Sequence, residues 1–136
     1  MWKWTTDPAT GTVREEQCDD RPGEFPRVDD RLTGRTSGHG HLTSGTALVR
    51  YDLSSHTATA HGFGPGRRAG EAAFAPADGT PGGPGRLLVN VYDAATDRSD
   101  LGVLDAGHLA APPVATIHLT ARVPFGFHGD WLTGGA

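Results

Sequence analysis

The stretch Thr46-Ala47-Leu48-Val49-Arg50-Tyr51, then Asp52-Leu53-Ser54-Ser55, then Thr57-Ala58-Thr59-Ala60-His61-Gly62-Phe63, reads as a β-hairpin. Its arms are short and rich in Val, Thr and aromatic residues, which suit a pleated, half-buried surface. The Asp and serines between them hydrogen-bond their own backbone in turns. The same design recurs twice. Residues 2–6 and 12–17 flank Asp7-Pro8-Ala9-Thr10-Gly11, and residues 86–92 and 100–105 flank a turn at 93–99. Trp4, Tyr51 and Tyr92 take the same place in the three hairpins, 47 and 41 positions apart. That spacing is close to the length of a four-stranded propeller blade.

Between the hairpins lie Gly23-Glu24-Phe25-Pro26-Arg27-Val28, Gly70-Glu71-Ala72-Ala73-Phe74-Ala75-Pro76 and Ala115-Thr116-Ile117-His118-Leu119, each expected to form a single strand. Helical periodicity is absent apart from a turn expected at 105–110. The fold class is therefore all-β, built from antiparallel hairpins.

Thirty of the 136 residues are glycine or proline, so order has to come from the apolar runs between them. Tracts 33–45 and 77–85 are dense in glycine and lack apolar anchors, and they are expected to be mobile loops within one domain, 1–136. A net charge of -4 with scattered arginines excludes the basic stripe that nucleic acid requires, and favours a small molecule or protein as partner. A single cysteine, Cys18, rules out an internal disulfide framework and fits a reducing compartment. No apolar run is long enough to span a bilayer, and the start Met1-Trp2-Lys3-Trp4 lacks the apolar core of a signal peptide, so a cytoplasmic location is expected.

Seven histidines raise the question of a metal, since neutral imidazole is a common ligand. His39-Gly40-His41 has a spacing that puts two imidazoles on one face of a strand, but it falls in the expected glycine-rich loop. His56, His61, His108 and His118 are expected at exposed polar positions. His128, in Pro124-Phe125-Gly126-Phe127-His128-Gly129, is set among aromatics and glycines. Its residue types leave a hydrogen-bonded core histidine and a metal ligand both open. Glu24 and Glu71 each follow a glycine and open an apolar strand, as strand-edge carboxylates or as acceptors for the Nδ1 proton of a metal-bound imidazole. No Gly-x-Ser-x-Gly, phosphate loop, dinucleotide fingerprint or Cys-x-x-Cys occurs.

Three stretches taken together resemble the closing part of the carotenoid cleavage oxygenases, which include the lignostilbene dioxygenases and the retinoid isomerase of the eye. They are residues 23–31 (Gly-Glu-Phe-Pro-Arg-Val-Asp-Asp-Arg), residues 63–76 around Gly70-Glu71, and Val123-Pro124-Phe125-Gly126-Phe127-His128-Gly129-Asp130-Trp131. The resemblance implies the last blades of a seven-bladed β-propeller whose axis carries Fe(II) on four histidines. It implies that His128 is one iron ligand, and that Glu24 and Glu71 are glutamates hydrogen-bonded to iron-bound imidazoles. The implied reaction is scission by O₂ of a conjugated carbon–carbon double bond in an apolar polyene or stilbene.

The other three histidines and a third glutamate of the family pattern have no counterpart here, which implies a C-terminal portion inactive alone. Such a portion could self-associate, pair with a separate N-terminal chain, or serve as a metal-free interaction module through its open strand edges. The sequence also departs from the family after Arg31 and at Pro81-Gly82-Gly83-Pro84-Gly85.

Overall fold

The computed structural model describes residues 1–132, and residues 133–136 of the expected domain lie outside the described residues. The strands run β1 (Trp2–Asp7), β2 (Thr12–Gln17), β3 (Glu24–Arg27), β4 (His39–Ser44), β5 (Ala47–Asp52), β6 (Thr57–Gly62), β7 (Arg67–Pro76), β8 (Gly85–Asp93), β9 (Arg98–Asp105) and β10 (Ala115–His118). They form three antiparallel sheets in which sequence neighbours pair: β1-β2, β3-β4-β5-β6 and β7-β8-β9-β10. The chain is all-β, and each expected hairpin and single strand is present.

Residues 39–44 were expected in a loop and instead form β4, paired on one side with β3 and on the other with β5. Gly38 and Gly40 lower the local strand preference, but two flanking ladders and the burial of Leu42 and Thr43 override it. The turn at 105–110 is present as His108 N–H to Asp105 C=O and Ala111 N–H to His108 C=O bonds, while the 3-10 turn lies elsewhere, at Asp30–Leu32.

The aromatic repeat is only partly structural. Tyr51 lies on β5, the third strand of its sheet, whereas Tyr92 lies on β8, the second strand of its own. The equivalent positions are instead Glu24 on β3 and Glu71 on β7, each on the first strand of a four-stranded sheet and 47 residues apart.

Strand β8 alternates, burying Gly85, Leu87, Val89 and Val91. Leu87, Val89 and Val91 meet Leu104 of β9 and Ala106 and Leu109 from the turn that follows it, and Leu48 of β5 reaches across to join them. Leu48 thereby couples the two large sheets. Leu42, Val49 and Tyr51 form a second cluster. Gly85 is required where it stands, because a Cβ there would come within 2.4 Å of the Phe74 ring.

The tract 77–85, which lacks apolar anchors, is held by polar ones. Arg31 donates to the carbonyls of Asp78 and Thr80, and Gly82 N–H donates to Asp29 Oδ2 at 2.7 Å. Hydrogen bonds from Arg31 outweigh the burial of Asp29 and, with those from the Gly82 and Arg31 N–H groups, hold its carboxyl down at about 2. The β1-β2 hairpin buries almost nothing, and Trp2, Trp4 and Val13 are 55%, 66% and 62% exposed.

Leu48→Ala removes the side chain that couples the two cores. It is expected to cost about 3 kcal/mol, measured as a drop in the urea midpoint of the full chain.

Candidate metal-ligand site

Two β-bulges build this region. In the β7-β8 ladder Ala69 pairs with Val91 and Ala72 with Val89, so Gly70 and Glu71 together oppose Asn90. An extra residue bends the strand and re-aims its side chains. Thr43 Oγ1, buried on β4, donates to the bulged Gly70 carbonyl at 2.7 Å. In the β3-β4 ladder Glu24 pairs with Thr43 and Arg27 with His41, so Phe25 and Pro26 together oppose Leu42. Phe25 sits at φ 55°, a left-handed conformation costly for an aromatic residue. Its ring edge faces the His128 ring, with centroids 6.2 Å apart at 86°.

Glu71 is the centre of the site, its side chain only 4% exposed. Oε1 lies 3.2 Å from His128 Nδ1, and Oε2 accepts from Gly129 N–H at 2.7 Å and faces Arg27 Nη1 at 3.2 Å. Burial works against the carboxylate's charge, but the Gly129 N–H, His128 and Arg27 together outweigh it and hold its carboxyl below the ordinary value. An anionic acceptor at Nδ1 fixes the imidazole's orientation and leaves the other ring nitrogen as lone-pair donor.

The structure thus brings His128 and Glu71 together. Glu24 lines the same cavity, of about 430 Å³, but makes no hydrogen bond to His128. The His128 side chain is 78% exposed rather than enclosed by aromatics. Phe25 meets it, while Phe127 points to solvent at 81% exposed and Phe125 packs on Tyr92 instead.

His41, expected in a solvated loop, is buried on β4 at 7% exposed, with neither ring nitrogen hydrogen-bonded. Burial, reinforced by the Arg50 charge, pushes it down to about 4. His39 and His41 border a cavity of about 400 Å³ beside Arg50 and Phe74. His118 is exposed with Nδ1 2.7 Å from Asp100, and His56 and His108 also stand beside carboxylates at the surface. Among the described residues, no cluster of three or more His, Cys, Asp or Glu side chains could hold a metal. The residues fit one corner of a histidine-bound metal and no more.

Arg27 and Thr43 were not singled out from sequence as contributors to this region, and His41, weighed there as a ligand, borders the other cavity. The break in alternation between Ala69 and Ala72/Phe74 is a readable sign of the bulge, whereas contacts across more than 100 residues leave no local signal.

This architecture is that of the carotenoid cleavage oxygenases, and the chain belongs to that family: the sequence model described as retinal pigment epithelial membrane protein matches residues 1–133. The apocarotenoid-15,15'-oxygenase of Synechocystis sp. is 37% identical over 96% of this chain and 29% of its own length, and a carotenoid cleavage oxygenase of Mycobacterium tuberculosis is 33% identical over 95% and 28%. A solved structure of a mutant of the Synechocystis apocarotenoid oxygenase superposes with a TM-score of 0.92 at 34% identity, covering 98% of this chain and 30% of that one. A cobalt-substituted form of the Synechocystis enzyme matches equally well. The chain spans less than a third of the length of these relatives.

His41→Leu is expected to stabilise the chain by about 1 kcal/mol at neutral pH by removing an unpaired buried imidazole. His41 is depressed in the folded chain, so the unfolded chain binds protons more readily, and stability falls as pH drops from about 6.5 to about 4. Urea titrations at several pH values should show the leucine variant losing that component.

Proposed function

We propose that this chain is the C-terminal part of a non-haem Fe(II) oxygenase that cleaves a conjugated double bond of a carotenoid, apocarotenoid or stilbene. The carrying observation is the Glu71–His128 contact, an imidazole oriented through Nδ1 by a buried carboxylate. In the complete assembly Fe(II) would supply activation of O₂, with His128 as one ligand. Three further imidazoles come from sequence outside this chain, and Glu24, which makes no hydrogen bond to His128, is available to orient one of them. The chain alone is inactive in this reading, because one imidazole cannot hold iron against water. An apolar tunnel selecting the polyene is built mainly from the absent parts. A cytoplasmic location fits the single cysteine.

A second reading, a metal-free interaction module that self-associates or pairs with another chain, is favoured by the exposed Trp2, Trp4 and Val13 on a two-stranded sheet with open edges.

Anaerobic Fe(II) titration of the chain alone is expected to give no stoichiometric binding. Co-expression with an N-terminal portion from a relative should restore bound iron and cleavage of β-carotene or a stilbene, both lost in His128→Ala. A folded, co-purifying pair that binds no iron supports the interaction module instead.

A further inference from the structure

We propose that Arg27 is a positioning residue for His128, clamping the irregular segment that carries it onto β3 and β7. The inference rests on reading His128 as a ligand position, but the clamp itself is geometric.

Strand β10 ends at His118, and from there to Trp131 no ladder holds the chain. Its path depends on scattered contacts. Leu119 and Val123 N–H groups bond the Ser99 carbonyl and Oγ, and Phe125 packs between the guanidinium groups of Arg68 and Arg122, 5.4 and 5.2 Å from its ring centre. Neither contact reaches beyond Phe125. His128 is therefore placed by what holds Phe127 to Asp130, and Arg27 holds that stretch.

Its side chain is 19% exposed, and its guanidinium spans four acceptors. Nη1 donates to the Gly129 carbonyl at 2.9 Å and faces Glu71 Oε2 at 3.2 Å; Nη2 donates to Asp30 at 2.6 Å and reaches Asp130 at 3.4 Å. Gly129 is thus gripped on both sides, its carbonyl by Arg27 and its N–H by Glu71. The residue before it is His128.

A planar fork can serve a backbone carbonyl and a carboxylate with one nitrogen while anchoring itself on Asp30 with the other; a lysine ammonium presents one compact charge and lacks that span. The bulge at Phe25-Pro26 underlies the reach, because one extra residue shifts where Arg27 leaves β3. Without Arg27, Glu71 keeps the Gly129 N–H and the imidazole as partners, but the Gly129 carbonyl loses its tether and three carboxylates, Glu71, Asp30 and Asp130, are left without their shared cation.

The test uses the full chain without metal, by NMR. In Arg27→Gln the Gly129 amide is expected to exchange at least about tenfold faster, in line with the loss of a charged hydrogen bond. The Phe25–His128 ring NOE should vanish, while the Val49 and Val89 amides keep their protection. Unchanged Gly129 exchange with the NOE intact overturns the proposal. If Arg27→Gln unfolds the chain, Arg27→Lys decides: a Gly129 amide several-fold faster than in the natural protein supports the clamp, and one equally slow overturns it. An assembly that proves inert, with Gly129 still freed in Arg27→Gln, would sink the oxygenase reading and leave the clamp standing. Iron binding with Gly129 indifferent to Arg27 would do the reverse.

Discussion

A carboxylate buried as deeply as that of Glu71 stays ionised only if donors replace the water it has lost. Gly129 N–H, the His128 imidazole and the Arg27 guanidinium do so, and they come from widely separated parts of the chain. One charge therefore ties the first strands of two sheets to a C-terminal segment that has no ladder of its own. The contact that orients the imidazole is the same contact that keeps the segment in place.

The sheets serve that arrangement by supplying two rigid edges. Leu48 locks them together through the apolar core, and Thr43 locks them again through the Gly70 carbonyl, so β3 and β7 are held close although they share no ladder. Glu24 and Glu71 each lie at a bulge on the first strand of a four-stranded sheet, yet only Glu71 finds an imidazole. This asymmetry is what the proposed reading expects of a chain that covers under a third of its relatives' length: Glu71 meets an imidazole and Glu24 stands without one.

The hairpins were legible because each is local, with alternating β-rich arms around turn-forming residues. Strand β4 was not, since its glycines and histidines look like loop and its order comes from partners on both sides. The polar anchors of the tract at 77–85 were not legible for a related reason, because they are Arg31 and Asp29, some fifty residues away. For the site, motif resemblance pointed to His128, Glu24 and Glu71 but could not say which glutamate meets the histidine. Arg27 sat inside a quoted motif without a role, because its partners Gly129 and Asp130 lie 102 and 103 residues on.

The bulge at Gly70-Glu71 also bears on how such a chain can change over generations. Ala69, Ala72 and Phe74 all pack toward the same core, although the first differs in parity from the other two, because the extra residue resets the alternation. Loss of the Glu71 codon would leave a plain ladder in which Ala69 still faces Val91 and Ala72 still faces Val89, so the core side of β7 is kept while the carboxylate is lost. Point substitution can erode the Glu71 site by degrees, whereas deletion of that one residue removes it at once and leaves the core side of β7 in place.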